Sequence, residues 1–233
     1  MVLMQQARNA EAWFKKPDNT RAEIASVTQE VIEREADAAK QEVGFNARLL
    51  IQATLPHRKP PPEITEFERS NGHVTISITS RKQFGLPYGT YPRLLLAWVT
   101  TEAVRTKSPE LELGTSLHEF MSKLPLGTSG GTQGHYLRLR QHMQRLFTSM
   151  VSATIERGGE LHNIAVCPVE RFSLFWDPKH PDQESLWQST LKLAPLFFEE
   201  ITHKPVPVDM GALRELVKQR SPMALDIYQW LTF

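Results

Sequence analysis

The chain has 233 residues, which is enough to bury one sizeable hydrophobic core or two small ones. Its composition, 40% hydrophobic and 23% charged, is typical of a globular protein, and no apolar run approaches the ~18 residues that a membrane span needs. The single cysteine excludes an internal disulfide and a cysteine-based zinc site, and the net charge of +1 gives no overall attraction to nucleic acid.

The beginning of the chain differs from the rest, and we predict residues 1–60 as a separate N-terminal region. Asn19 or Thr20 is placed to cap a helix that continues towards Lys40 with a narrow apolar face. Residues 57–62 end in three consecutive prolines and predict an extended linker.

Residues 61–193 are predicted as the first folded domain. It begins with a β-hairpin around the turn signal Asn71-Gly72, whose second strand alternates apolar and polar residues, so that one face is buried. An apolar helix follows over residues 94–105. These elements offer more apolar surface than a small domain needs. We therefore predict a homodimer through the following side chains: Val74, Ile76, Ile78, Leu95 and Trp98.

The centre of the chain predicts a DNA-binding helix-turn-helix followed by a β wing. A short helix over residues 115–124, with Ser116 and Glu119 in a capping-box pattern, precedes a Gly-rich turn. A long basic helix is predicted over residues 135–153, and two strands joined by Arg157-Gly158-Gly159 follow it. In such a module the second helix enters a major groove and the hairpin lies beside it.

The long basic helix has two different faces. The side chains predicted to face the core are Tyr136, Leu139, Met143, Leu146, Phe147 and Met150. The opposite side carries Arg and Gln, which can bind guanine and adenine edges bidentately. An ordinary solvated helix face is the alternative, but the order of the elements favours DNA binding. The predicted DNA-binding residues are Thr132, Gln133, His135, Arg138, Gln141, Arg145 and Arg157.

The last part of the chain, residues 194–233, is predicted to be mainly helical. Before it, residues 172–176 and 187–193 predict a second hairpin. A short helix is predicted over residues 196–202, and two further helices meet at Ser221.

No pattern for catalysis or metal binding stands out. His135 and His142 lie seven residues apart without a carboxylate or cysteine on the same face. The charged residues between 177 and 184 share one Pro-bounded turn and do not converge from separate strands on a divalent ion. Cys167 is predicted at a buried strand position. We expect no enzyme activity, no metal and no cofactor.

Several motifs together resemble one protein family. In chain order they are GLPYGTYPRLLLAWVTTEAV at 85–104, LGTSLHEFM at 113–121, Gly130-Gly131, the helix residues Arg138, Leu139, Arg140, Gln141, Met143, Arg145, Leu146 and Phe147, WDPK at 176–179, PDQ at 181–183, PVPVDM at 205–210 and SPMALDIY at 221–228. These motifs are similar to the signature of the RepA-type plasmid replication initiators, and the resemblance covers roughly residues 63–233.

The resemblance implies a bacterial, cytoplasmic protein that binds repeated sequences in double-stranded plasmid origin DNA. Such initiators open the adjacent duplex and recruit host replication proteins such as a helicase or a DnaA-type initiator. They are built from two winged-helix domains, of which the first often mediates dimerisation. The expected fold class is therefore α+β, with a winged-helix first domain. The resemblance implies that residues 194–233 are the start of a second, incomplete winged-helix-like domain.

The family pattern continues beyond Phe233, so the resemblance implies a short form that dimerises but binds origin DNA poorly. Two other functions stay open. A winged-helix transcriptional repressor would bind DNA without melting a neighbouring A·T-rich segment. A dimerisation module without DNA contact would show only a shallow salt dependence, because it has no phosphate contacts.

Overall fold

The computed structural model describes residues 43–46, 54–70, 74–124, 126, 132–157, 160–177, 179–180, 182–203 and 205–232. At residues 43–46, 74, 132–134, 155–157 and 160–161 it describes the backbone alone. These residues belong to one compact unit that runs from Glu42 to Phe233. The helix predicted up to Lys40 and the Gly-rich turn before residue 132 lie outside the described residues.

The described chain contains six helices and nine strands, which confirms the mixture of helices and strands in the predicted α+β class. The helices are α1 (Thr90–Thr106), α2 (Leu117–Lys123), α3 (Thr132–Phe147), α4 (Pro195–His203), α5 (Met210–Lys218) and α6 (Pro222–Leu231). The strands are β1 (Val43–Asn46), β2 (Glu66–Ser70), β3 (Val74–Thr79), β4 (Glu110–Gly114), β5 (Met150–Arg157), β6 (Glu160–Val166), β7 (Val169–Ser173), β8 (Ser189–Leu193) and β9 (Val206–Asp209).

The strands form three antiparallel sheets. The largest has the order β2-β3-β5-β6, and the second has the order β4-β8-β7. The third pairs β1 with β9, which brings Val43 opposite Asp209. The predicted hairpins β2–β3, β5–β6 and β7–β8 are all present. In β3, Ile76 and Ile78 lie on the buried face, as their alternation with polar residues predicts.

Two predictions about the chain after α3 are wrong. The helix ends at Phe147, and residues 150–153 belong to β5, where Met150 is 44% exposed. The hydroxyls of Thr148 and Ser149 bond back to Gln144 O and Leu146 O and close the helix, and β3 then pairs with the residues that follow. Helical periodicity cannot report this long-range pairing.

Cys167 is exposed, where a buried strand position was predicted. It lies in the two-residue connection between β6 and β7. The connection includes Pro168, whose backbone has no N–H to donate to a strand ladder. The apolar residues that precede Cys167 belong to β6, but the strand ends one residue before the thiol.

Helix α1 is the centre of the packing, because it contributes to two hydrophobic clusters. Its side chains in the larger cluster, which also holds the α2 and α3 side chains, are Leu95, Leu96, Trp98, Val99 and Ala103. On the other side, Leu94 and Ala97 pack with Leu213 of α5 and Leu225 of α6. A helix that is apolar around most of its circumference is stable when it is buried on all those sides, as α1 is.

A buried ion pair fixes the N-terminal end of α1 to α6. Arg93, only 3% exposed, donates from Nε and Nη2 to the two carboxylate oxygens of Asp226 at 2.5 and 2.6 Å. The same guanidinium donates to Leu55 O and to Gly89 O, each at 2.6 Å. His57 Nε2 lies 2.7 Å from Asp226 Oδ2. The planar guanidinium of Arg93 thus donates hydrogen bonds to a carboxylate and to two backbone carbonyls at the same time.

The residues directly before the predicted linker over residues 57–62 are packed against the folded domain. Leu55 and Pro56 are buried, and Pro56 O accepts a hydrogen bond from Gly89 N at 2.9 Å. With the β1–β9 pairing, contacts run across the boundaries predicted at residues 60 and 193. The predicted two-domain division stays a prediction about independent folding.

Four of the five side chains predicted to form a dimer lie inside this chain's own core. Ile76, Ile78, Leu95 and Trp98 are 0–6% exposed, and the structure describes only the backbone of Val74. Their burial explains the excess apolar surface that suggested a dimer, because β3 and α1 cover it with other elements of the same chain. A partner subunit would reach these four side chains only if the core opened.

We predict that Asp226→Ala lowers the free energy of unfolding by about 3–5 kcal/mol, because it leaves the buried Arg93 guanidinium without its counter-charge. Urea denaturation measures this loss. The matched control is Glu170→Gln, which removes an exposed pair with Lys192 and should change stability by less than about 1 kcal/mol. A loss from Asp226→Ala no larger than that of the control would contradict the role given to the pair.

Candidate nucleic-acid interface

Helices α2 and α3 form the core of the candidate interface. Ser116 caps α2, since its hydroxyl accepts from Glu119 N at 3.1 Å, and Glu119 Oε2 accepts in turn from Thr115 N at 2.9 Å. The capping role predicted for Ser116 is confirmed. His118 Nδ1 lies 2.7 Å from the hydroxyl of Tyr136 and links α2 to α3.

The face of α3 that was predicted to be apolar is buried. Its residues inside the core are Tyr136, Leu139, Met143, Leu146 and Phe147, each at most 4% exposed. The opposite side shows Arg138 and Gln141 to solvent. Leu137, which is 51% exposed, lies on this same side, one turn before Gln141. We call Leu137, Arg138 and Gln141 the α3 stripe.

The α3 stripe includes a residue that the sequence analysis missed. Leu137 was not assigned, because an apolar residue on the polar side of a helical wheel is common and carries little signal. Its position beside Arg138 and Gln141 gives it a chemical use, since an apolar side chain can contact the methyl group of thymine in a major groove.

Arg145 is held within the protein, although it was predicted on the DNA-binding face. It is partly buried, its Nη1 lies 3.4 Å from Leu86 O, and its guanidinium stacks 5.0 Å from the ring centroid of Tyr88. Gly85 lies beside the same guanidinium: a Cβ atom added to this glycine would be 3.6 Å from Arg145 Nη1. These contacts fasten the turn before α1 onto α3.

The other predicted DNA-binding residues lie at the two ends of the module. Thr132 and Gln133 are in the first turn of α3, and Arg157 is at the end of β5, opposite Glu160, but their side chains are not among those described. His135 is half-buried, and its Nδ1 lies 2.8 Å from the hydroxyl of Tyr91. The structure thus places His135, Arg138 and Gln141 along one helix.

His142 is a buried, neutral wedge between α3 and the start of α1. Its ring stacks on Tyr91 with centroids 5.0 Å apart and meets Tyr88 edge-on at 4.9 Å. The pKa of His142 is lowered from 6.5 to about 4. Burial is the largest cause, and the positive charges of Arg145 and Arg138 contribute the rest. Near neutral pH the His142 side chain is therefore uncharged, and the positive charge on this part of α3 comes from the arginines.

The described part of the chain shows neither a metal-binding cluster nor a membrane-spanning helix. Among the described residues, no three His, Cys, Asp or Glu side chains group closely enough to hold a metal ion. No helix in the same ranges is long and apolar enough to cross a membrane.

Comparison with known families decides the relationship of this chain. The sequence pattern of the family described as plasmid encoded RepA protein matches residues 86–233, close to two thirds of the chain. The chain belongs to this family. The matched region contains all six described helices, including the α3 stripe. The resemblance to RepA-type replication initiators that the motifs indicated is thereby confirmed.

Two solved structures are similar to parts of this chain. One is the crystal structure of selenomethionine derivatives of domain 2 and domain 3 of RctB, with a TM-score of 0.47, 12% identity and coverage of 66% of this chain and 63% of that one. The other is the crystal structure of RctB domains 2–3, with a TM-score of 0.43, 14% identity and coverage of 67% and 59%. The chain thus spans less than two thirds of either structure. No curated protein matches its sequence significantly.

The low pKa of His142 predicts a specific pH dependence of stability. Between pH 6.5 and about 4 the unfolded chain binds a proton at this residue that the folded chain does not, so the free energy of unfolding falls as the pH falls through that window. At about 1.4 kcal/mol for each unit of pKa, the loss approaches 3 kcal/mol at the acid end.

His142→Phe keeps an aromatic ring between Tyr88 and Tyr91 but cannot take up the proton. Urea denaturation at several pH values between 7 and 4.5 should therefore show a shallower loss of stability for the variant than for the wild type, by about 2 kcal/mol over this range. Parallel curves for the two proteins would show that His142 titrates alike in the folded and unfolded chains.

Proposed function

We propose that this chain is a plasmid replication initiator that binds repeated sequences in double-stranded origin DNA and acts by binding, without catalysis. The observation that carries the proposal is the α3 stripe. In a member of the RepA family, a helix preceded by a shorter helix and followed by a β-hairpin presents Arg138 and Gln141 to solvent. Gln141 suits an adenine edge, and Arg138 suits either a guanine edge or a phosphate.

The proposed docking is that of a winged helix. The order α1-β4-α2-α3-β5-β6 supports it, because the reading helix of such a module comes directly before the strands of the wing. Strand β4 pairs with β8 in a separate sheet, while β5 pairs with β6 on one side and with β3 on the other. The proposed wing, the β5–β6 hairpin, is therefore part of a four-stranded sheet that also contains the β2–β3 hairpin.

Origin opening would follow from DNA deformation on binding. A protein that bends or untwists its site makes the sequence-dependent cost of that deformation part of recognition. In the bacterial cytoplasm, the bound protein, as a homodimer or a monomer, would then recruit a host helicase or a DnaA-type initiator. A repressor would bind the same repeats but leave the neighbouring A·T-rich segment paired, so reactivity of that segment towards a single-strand-specific reagent separates the two functions.

We predict that Gln141→Ala reduces affinity for the plasmid's own origin repeats by about 1–3 kcal/mol, with a much smaller change on a scrambled duplex. Fluorescence anisotropy with both duplexes at one salt concentration measures the difference. Arg171→Ala is the matched control. Arg171 is exposed and lies on β7, in the sheet formed by β4, β8 and β7, so its substitution should change neither affinity. Equal losses on both duplexes would overturn base reading by Gln141, and a wild type that binds neither duplex would overturn DNA binding altogether.

A further inference from the structure

A cavity of about 300 Å³ opens between the first half of α3 and the end of α5. Three basic side chains lie on its wall: Arg138 from α3, Lys218 from the last turn of α5, and Arg220, two residues after it. His135 and Tyr91, joined by their hydrogen bond, form part of the same wall. None of the described residues that line the cavity is acidic. Basic side chains from two separate elements thus meet around one space.

The backbone at Arg220 supports a use for its side chain. This residue has φ of 54°, in the left-handed region, directly after the last turn of α5. Glycine is the residue favoured at such a position, because any Cβ is strained there. Arg220 N donates to Val217 O at 3.0 Å, a bond that glycine would make equally well. The arginine therefore does nothing for the helix end that glycine would not do better, and its side chain lies on the cavity wall.

Lys218 is available to a stronger partner. Its Nζ lies 2.6 Å from Glu215 Oε1, but both side chains are more than half exposed. Exposed pairs at this spacing contribute little to stability, so the ammonium can exchange Glu215 for an anion in the cavity at small cost.

We infer that this cavity binds a phosphate group of the DNA backbone, so that the DNA contacts the end of α5 as well as the α3 stripe. The inference rests on the proposed function and extends its footprint. Arg138 belongs to both the stripe and the cavity wall, which places a bound phosphate next to the bases that Gln141 would read. Three cationic side chains around one group supply the charge-assisted hydrogen bonds that a phosphodiester needs.

The test is Arg220→Gly, which removes the charge and relieves the backbone at once. Its melting temperature should be equal to or higher than that of the wild type, because glycine suits the left-handed position. Its affinity for origin and scrambled duplexes should fall alike, about 5- to 10-fold, and the slope of log affinity against log salt should shrink by about one unit. A residue with only a structural role would not separate stability from binding in this way.

Lys107→Gly is the matched control. Lys107 also has φ of 54°, at the end of α1, and is exposed. It lies at the opposite end of a 17-residue helix from the cavity, about 25 Å away. This control removes the same charge from the same kind of backbone position, so its melting temperature should also be maintained or rise, and its DNA affinity and salt slope should stay those of the wild type.

The outcomes separate this inference from the proposed function. If the wild type binds neither duplex, the proposed function fails and the inference fails with it. If the wild type binds origin repeats and Arg220→Gly binds them with the same affinity and salt slope, the cavity inference alone is overturned. Inorganic phosphate, added at constant ionic strength, identifies another source of the anion: if it raises the melting temperature of the wild type but not of Arg220→Gly while DNA affinity is equal, the cavity is a free-phosphate site and the backbone contact is wrong.

Discussion

The buried pair between Arg93 and Asp226 joins three parts of the chain that are far apart in sequence. It holds the start of α1, the segment around Leu55 and helix α6 in one place, and the partners are separated by 133 positions. A guanidinium that is 3% exposed is tolerated only when its charge and its donors are matched, and here a carboxylate and backbone carbonyls match them. The hydrophobic clusters on both sides of α1 depend on this alignment, because α1 contributes to each.

The position of α3 follows from the same end of α1. Tyr88 and Tyr91 close around His142, and Arg145 stacks on Tyr88, so that the turn before α1 and the helix α3 are packed against each other by aromatic and cationic groups. These contacts use the inner residues of α3 and leave the α3 stripe facing solvent. The net charge of +1 hides this segregation, since the basic groups of α3 and of the end of α5 lie around one cavity.

Local features of the fold could be predicted because their signals are local. The period of two in β3, the helix cap at Ser116 and the apolar side of α3 each depend on residues a few positions apart, and each is present in the structure. The two faces of α3 were therefore separated correctly for Leu139 and Met143 as well as for Arg138 and Gln141. The helix predicted over residues 196–202 and the two helices predicted after it are also present, as α4, α5 and α6.

The features that could not be predicted depend on distant partners. The periodicity of α3 runs on into Met150, but β3 takes that residue into a sheet. Arg145 has the spacing of a solvent-facing residue, yet Tyr88, far away in the chain, supplies a ring that holds it. The β1–β9 pairing and the roles of Arg93 and Arg220 likewise depend on tertiary contacts and backbone geometry, which composition and periodicity do not contain.

The DNA-binding role that we propose for α3 requires its exposed face to lie against the bases of origin DNA. Site-specific photo-crosslinking tests it most directly, with a photoreactive side chain at position 141 in the full chain and a duplex that carries the plasmid's origin repeats. The same probe at Glu170, an exposed position on β7, reports non-specific proximity. We predict an efficient crosslink from position 141 that maps to bases within a repeat and is absent from position 170. Efficient binding of the duplex without a crosslink from position 141, or with equal crosslinks from both positions, would show that α3 does not lie against the bases.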